Sequence, residues 1–587
     1  MNKIRQFNVY NFHSRIFSVM CLIGLCLLLV LGRVFYLQIW NAEYFNELAQ
    51  RQQQRTIKLE SKRSPIYDRQ QRLLAISVKV DSVHALPQHV QEPEKTARIL
   101  SPLLQMEESV LLEKLTSQRS FVWIKRQISP ALSAQIKNAN LKGIAFIREY
   151  RRYYPLGNFA GPLLGFTGVD SQGLEGLEYE YQELLQGKKY NHVVAQDGTH
   201  RTVPSADYNH SKDSNHYTLH LTIDSSIQYF AEKALKKGLA RMDAKKGIAI
   251  VMETQTGAVL AMANVPGFNP NNYQKYPRSH YLNYAVSSGY EPGSTLKLVT
   301  LATALEENIL QEDQAFFCEN GSYQIADQVI HDVKPHGWLT VEQIIQKSSN
   351  ICASKIGLAI EKETFFDYLQ QFGFGNKVNI GLSAEAVGKV PAPKDWTEVD
   401  HASIAFGHGI LSSPIQLLTA VNSLGTGGML VYPYVIESVE NKQGRKVKEI
   451  QNVAGKVIYR FGMRESKRVL SEKTANRIKQ FMISVTHKGG SGSLAAIPGV
   501  EVAGKTGTTE IFDEVTQAYS KKEHIASFIG LVPAANPVLT ILIVIESPKK
   551  SHYGGTVAAP VFREIAERSL IFMGKGMISR KSKAQTN

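Results

Sequence analysis

From Ile16 to Gly32 the chain runs without a charged residue, and as a helix this stretch spans about 26 Å. Val34–Trp40 continues the apolar character beyond Arg33, whose long side chain can reach back to an interface. A cleaved leader would have a shorter apolar core and small residues at the cut. Here Arg33-Val34-Phe35-Tyr36-Leu37 follows, so residues 16–40 read as an uncleaved membrane anchor. Lys3, Arg5 and Arg15 precede the span, which places residues 1–15 in the cytoplasm and everything after about residue 40 outside it.

Beyond the anchor the pattern changes twice. Residues 41–60 are polar and glutamine-rich (Arg51-Gln52-Gln53-Gln54-Arg55), as expected of a helical stalk leaving the membrane. From there to about residue 220, short strand-like and helical stretches alternate without a catalytic constellation, and 41–220 reads as a non-catalytic module. The polar stretch from Ser205 to Asn215 suggests a boundary. Leu219–Asp224 then has strand character and Ser226–Met242 helical character. Gly247–Glu253 and Ala258–Ala263 form a predicted hairpin across Thr254-Gln255-Thr256-Gly257. Residues 294–425 are mostly helical in pattern, and three more strands follow at Val502–Thr506, Ile525–Val532 and Val538–Ile545 before a helix over Val561–Phe572. Strands at both ends of a segment with helices between them predict an α+β domain over 221–573, one antiparallel sheet flanked by helices plus a helical subdomain. Residues 574–587 form a basic tail.

Composition narrows the classes. At 587 residues, with 43% apolar and 20% charged positions, the chain is a multidomain globular protein, neither disordered nor polytopic. The charge of +15 is spread along the sequence with a small cluster at Lys575, Arg580, Lys581 and Lys583. No basic run is interleaved with aromatics, which argues against nucleic acid and leaves anionic lipid or polymer as the partner chemistry. Of four cysteines, Cys21 and Cys26 lie in the anchor; Cys318 and Cys352 read as two unpaired buried thiols, with a bridge as the alternative. His331, His336, His401 and His408 lack ligand spacing and read as core or surface residues, so neither metal nor cofactor is expected.

Three short motifs carry chemistry in one order: Ser294-Thr295-Leu296-Lys297, Ser348-Ser349-Asn350 and Lys505-Thr506-Gly507-Thr508. Glu291-Pro292-Gly293 is a turn and Leu296–Leu305 a helix, so Ser294 stands at a helix N-terminus with Lys297 on the same face. For Lys297 to act as a base near neutral pH it must lose roughly three pKa units, about 4 kcal/mol, which burial and a second cation, Lys505, would supply. Ser348 can relay a proton, and the Asn350 amide can both donate to and accept from a peptide. Lys505 with the Thr506 and Thr508 hydroxyls makes a carboxylate pocket, and Gly507 lets a substrate lie against the strand. The backbone amides of Ser294 and Thr508 are the expected oxyanion hole.

With these placed, the chain resembles the penicillin-binding protein and serine β-lactamase superfamily, whose signatures are SxxK, SxN and KTG. Arg63–Arg69, Arg152-Tyr153-Tyr154-Pro155, Gly165-Phe166-Thr167-Gly168 and Gly173–Glu178 are similar to the mixed α/β pedestal of class B penicillin-binding proteins. Leu221–Asp224, Gly409–Gln416, Ala526–Gly530, Tyr553-Gly554-Gly555 and Pro560-Val561-Phe562 resemble their transpeptidase domain. Two departures stand out: Arg63-Ser64 where the family has arginine-glycine, and Asp68-Arg69-Gln70-Gln71 where it has Asp-Arg-Asn-Gly, so the local turns are expected to differ. The resemblance implies a single-pass inner-membrane D,D-transpeptidase facing the periplasm. Ser294 would be the nucleophile, Lys297 the base, Ser348 the relay, Asn350 a substrate contact, and Lys505, Thr506 and Thr508 the carboxylate and oxyanion groups. It further implies peptidoglycan stem peptides as substrate, β-lactams as acylating agents, and a membrane glycan polymerase of the SEDS type with other divisome proteins as partners. The septal, FtsI-type branch fits length and spacing. The alternatives are an elongation-type transpeptidase, a D,D-carboxypeptidase with the same nucleophile, and an inactive membrane-tethered division scaffold.

Overall fold

The computed structural model describes residues 9–59, 62–186, 190–195, 217–451, 456–513 and 518–575. Among these, the residues up to 59 and 190–195 form one compact unit and the rest a second.

In the first unit a helix over Val9–Phe35 runs on into a π-helical turn at Tyr36–Trp40. Ser14–Trp40 is long and apolar enough to cross a bilayer. The helix Ala42–Gln53 follows, but the stalk predicted over 41–60 does not stay helical. Gln54–Leu59 is a strand paired antiparallel with Tyr190–Ala195. The partner lies more than 130 residues away, so a tertiary pairing overrides the local pattern. The boundary stretch Ser205–Asn215 and most of the basic tail fall outside the described residues.

In the second unit, Leu73–Ala85 pairs antiparallel with Ile66–Tyr67, Val122–Ile128 and Ile144–Tyr153. The strand read over Leu219–Asp224 spans Thr218–Leu221 and does not join the catalytic sheet. Instead it lies parallel to Ile66–Tyr67 and antiparallel to Ile436–Glu440, which in turn pairs with Lys446–Val447. The pedestal sheet is thus completed by a segment from deep within the catalytic part of the chain. Sequence pattern finds a strand but not its partner, since every register that buries Leu219 and Leu221 reads the same locally.

A buried ion network fixes this pedestal. Arg63 and Arg152 both meet the Glu178 carboxylate, and Arg152 also donates to the Ser64 carbonyl at 2.7 Å. Ser64 is itself buried, where the family's glycine was expected. At the second departure Gln71 has φ +61°, the left-handed backbone that favours glycine, so this turn retains a glycine-like shape with a glutamine in it. Asp68 accepts from Gln70 N, Arg72 N, Arg72 Nε and Ser225 Oγ, tying the turn to the first residue of the helix Ser225–Met242.

The catalytic sheet has five antiparallel strands in the spatial order Ala503–Asp513, Ala518–Val532, Leu539–Glu546, Lys246–Glu253, Val259–Val265. Both faces are covered. Ala249, Val251, Ile541 and Ile543 pack with Leu235, Phe562 and Ile565 of the helices Ser225–Met242 and Ala559–Phe572. Ile248, Ile250, Leu542 and Val544 face the core shared with Leu298, Leu301 and Leu417. Burial on two faces explains why these strands read as unbroken apolar runs. The helical part includes Lys297–Glu306, Val341–Lys347, Asn350–Leu358 and Pro414–Gly425. Cys318 and Cys352, read from sequence as separate thiols, are joined in a disulfide with Cα atoms 5.2 Å apart. The fold brings together thiols 34 residues apart, which sequence distance alone cannot show.

Candidate active site

The structure brings all three motifs to one place. Pro292 and a left-handed Gly293 (φ +54°) turn the chain into a single 3₁₀ turn, Gly293–Thr295, followed by the helix Lys297–Glu306. Gly293 is obligatory on packing grounds too, since a Cβ there would stand 2.4 Å from Thr509 Cγ2. Ser294 therefore sits at the head of the helix, as its sequence setting predicted, with Lys297 buried one turn on.

Lys297 Nζ lies 3.0 Å from Ser294 Oγ and 2.7 Å from each of two carbonyl-type oxygens, Ser348 O and Asn350 Oδ1. A neutral amine has two protons and one lone pair. Donating both protons to the two carbonyl oxygens leaves the lone pair facing the Ser294 hydroxyl. Burial pushes the Lys297 ammonium down to about 7, with Asp332 acting in the opposite direction. Desolvation therefore does what the sequence reading divided between burial and Lys505. The like-charge effect appears on the other partner: Lys505, fully buried, is pushed well below the usual lysine range by burial and by the Lys297 charge.

Ser348 caps the helix Val341–Lys347 in the left-handed region (φ +64°), and Ser349 caps Asn350–Leu358, so the second motif is an interhelical turn. Ser348 Oγ accepts from Lys505 Nζ at 2.7 Å and lies 3.4 Å from Lys297 Nζ, which makes it the bridge between the lysines. Asn350 Oδ1 is occupied by Lys297 and one Nδ2 proton by His331 O at 2.9 Å, leaving the second Nδ2 proton for a ligand.

The third motif does not end its strand. Lys505–Thr508 lies within Ala503–Asp513, the outer strand of the catalytic sheet. Gly507 was expected to make room for substrate, yet a Cβ there would meet Ser527 Oγ at 2.3 Å and Thr295 Cγ2 at 3.1 Å, so internal packing already explains the glycine. Thr506 Oγ1 donates to Ser491 Oγ at 3.1 Å, and Thr508 Oγ1 accepts from Gly554 N at 3.1 Å.

Two groups escaped the sequence reading. Asp332 Oδ1 accepts from Asn350 N (2.5 Å) and Ile351 N (3.1 Å), and its Oδ2 from Ser349 Oγ (2.6 Å). It stands at the N-terminus of the Asn350–Leu358 helix, within the loop that the Cys318–Cys352 disulfide closes, where an anion suits the dipole. Glu291 of the turn before Ser294 accepts from Gly409 N at 2.9 Å and Tyr519 OH at 2.7 Å. His408, read from sequence as a core or surface residue, faces it with Nδ1 3.7 Å from Oε2. An isolated carboxylate carries no motif, so only the turn chemistry around Glu291 could have drawn attention to it.

Known proteins resemble the chain along nearly its whole length. The penicillin binding protein transpeptidase domain matches residues 247–567, and the penicillin-binding protein dimerisation domain matches residues 58–221. A probable peptidoglycan D,D-transpeptidase PenA of Neisseria meningitidis is 32% identical over 96% of this chain and 93% of its own length. Stage V sporulation protein D of Bacillus subtilis is 33% identical over 95% of this chain and 86% of its own. The peptidoglycan D,D-transpeptidase FtsI of Escherichia coli is 32% identical over 96% and 92%. Among solved structures, a peptidoglycan synthetase from Bifidobacterium adolescentis superposes with a TM-score of 0.69 at 24% identity, covering 90% of this chain and 99% of that one. Two domain matches in tandem, full-length relatives and a shared fold have one reading: the chain belongs to the class B penicillin-binding proteins.

Proposed function

We propose that this protein is a peptidoglycan D,D-transpeptidase of the FtsI, PenA and stage V sporulation protein D type, working through a serine acyl-enzyme. The observation that carries the reading is the Lys297 amine, held by two carbonyl oxygens with its lone pair toward Ser294 Oγ. As Oγ attacks the carbonyl of a terminal D-Ala-D-Ala, its proton passes to Lys297. The tetrahedral oxyanion forms against the backbone amides of Ser294 and Thr508. Collapse breaks the peptide bond, and the departing D-alanine takes the proton back from Lys297 by way of Ser348 Oγ. An amine of a neighbouring strand then attacks the ester and frees Ser294.

Lys505 supplies the charge for the substrate carboxylate, with the Thr506 and Thr508 hydroxyls. Burial disfavours its ammonium in the free site, and an arriving carboxylate reverses that balance by offering a counter-charge. Asn350, through its spare Nδ2 proton, contacts the substrate backbone. β-Lactams, which mimic the dipeptide, acylate the same oxygen. The likeness to an FtsI favours septal synthesis, with a membrane glycan polymerase and divisome proteins as partners, and Lys3, Arg5 and Arg15 ahead of the apolar span favour an N-terminus in the cytoplasm with the catalytic part outside the inner membrane. The test is intact-mass spectrometry of the full-length protein in detergent after benzylpenicillin, beside Ser294→Ala. One stable adduct on Ser294, absent from the variant, is expected; an adduct that persists in Ser294→Ala would remove the nucleophile from this scheme.

A further inference from the structure

Aminolysis of the acyl-enzyme poses a proton problem that Lys297 alone does not solve. An acceptor amine arrives near neutral pH as R–NH₃⁺ and leaves as an amide nitrogen bearing one hydrogen, so two protons must go. The new C–N bond forms as the ester C–Oγ bond breaks, and one proton goes to Ser294 Oγ by way of Lys297. The other must be taken from the ammonium before attack, by a second group.

We infer that Glu291 and His408 form this acceptor side, a carboxylate and imidazole that hold the incoming ammonium and take its first proton. The inference rests on the reading of Ser294 as nucleophile. Glu291 begins the Glu291-Pro292-Gly293 turn that delivers Ser294, and its side chain is 11% exposed. One carboxylate oxygen is filled by two donors, Gly409 N and Tyr519 OH. The other, Oε2, is buried and among the described residues has no hydrogen-bond partner, and His408 Nδ1 stands 3.7 Å from it, beyond hydrogen-bond reach. A buried carboxylate oxygen with unused acceptor capacity is matched to a cation with protons to give.

His408 is placed by the same stitching. Gly293 N donates to Gly407 O at 3.0 Å, so the His408 turn is bonded to the nucleophile's turn. Gly407 has φ +89°, and a Cβ on it would lie 2.2 Å from Gly293 O, so no other residue allows that approach. Burial lowers the His408 imidazolium, Glu291 opposes this, the Lys297 charge adds to it, and Glu510 is the remaining charged group acting on the ring. A neutral imidazole can receive the proton and return it to solvent. Phe406 and Tyr519 flank it, with ring centroids 5.1 and 5.9 Å from the His408 ring, giving an ammonium aromatic faces as well as a carboxylate. The donor strand's terminal carboxylate is excluded from this side by the Glu291 charge, which separates the acceptor from the Lys505 pocket.

The test uses the full-length protein in detergent, a D-alanyl-D-lactate depsipeptide as donor and glycinamide as the amine probe, comparing wild type with Glu291→Gln and His408→Gln. Acyl-enzyme is followed by intact mass and transfer by product formation, so each step has its own readout. In both variants transfer is expected to fall at least tenfold more than acylation, with acyl-enzyme accumulating and the KM for glycinamide rising in Glu291→Gln. Equal losses in both steps would make the pair a structural prop of the Ser294 turn and overturn the inference, as would an unchanged ratio of transfer to acylation. Wild-type protein that forms no adduct on Ser294 would instead overturn the nucleophile assignment beneath it.

Discussion

Among the described residues two pairs of lysine or arginine side chains are buried, and they have opposite fates. Arg63 and Arg152 converge on Glu178, whose carboxylate they hold below the usual carboxylate range although burial acts the other way. Arg63 is further bonded to Ser171 O, Gln182 Oε1 and Glu178 O, so nearly every donor has an acceptor. Lys297 and Lys505 share only neutral oxygens and meet at Ser348 Oγ. Arginine cannot shed its proton and is given a counter-ion in contact; lysine can, and here its direct contacts are neutral oxygens, with Asp332 acting only from a distance. The difference separates a clamp from a candidate reactive site: compensation keeps charge in the pedestal, and burial without it leaves the Lys297 amine able to lose its proton near neutrality.

The sharpest way to break this contrast is Lys297→Met, expected to slow β-lactam acylation by about 10³ to 10⁴ while leaving a protein at least as stable as wild type, as stopped-flow acylation and denaturant melts would show. Glu178→Gln acts on the other pair: it strands two buried guanidinium groups and should cost about 3 to 5 kcal/mol in chemical denaturation. A loss below 1 kcal/mol there would mean the arginines are satisfied without the carboxylate.

A third test is pH. Lys297 must be neutral to act, so acylation should rise through about pH 7 and level off above it. Its folded pKa lies below the value of 10.5 for a free lysine. Below about pH 7 both folded and unfolded chains carry the proton and the fold bears the full cost of burying it. Stability should therefore increase from about pH 7 toward 10.5 and lose much of that slope in Lys297→Met. Asp332→Asn keeps an acceptor for the helix but removes the charge that supports the Lys297 ammonium. The acylation midpoint should move to lower pH, with a rate change of about tenfold or less; a midpoint that stays put would assign Asp332 to helix capping alone. Smallest of all, Gln71→Gly relieves a left-handed glutamine and should raise stability by less than about 1 kcal/mol in the same melts.

The meeting of the three motifs was legible in sequence because the residues of the candidate site lie in short motifs whose local elements fix them. A turn before Ser294 and a helical repeat after it place Lys297 without any knowledge of the fold. Ser348 and Asn350 sit where Ser and Asn belong, between two helices. What stayed hidden depends on partners remote in sequence. Asp332 reaches Asn350 only through the segment that the Cys318–Cys352 bridge ties down, and Glu291 meets Tyr519 across 228 residues. The same distance hid the partner of Thr218–Leu221, a strand legible in itself whose neighbour, Ile436–Glu440, was not. At Gly507 the atoms that exclude a side chain, Ser527 Oγ and Thr295 Cγ2, come from two other elements, so no local pattern announces them.

That strand pairing also bears on the order in which the chain can fold as it is synthesised. The sheet begun at Ile66 lacks the partner of its Thr218–Leu221 edge until Ile436–Glu440 has emerged, more than 200 residues later. At about 5 to 20 residues per second, that edge stays unpaired for roughly 10 to 40 seconds, a long exposure for unpaired strand groups. Closure of so distant a contact is slow in its own right. Release of the nascent chain before residue 436 therefore leaves the pedestal open along one edge, and the pedestal can close only once much of the catalytic part has been made.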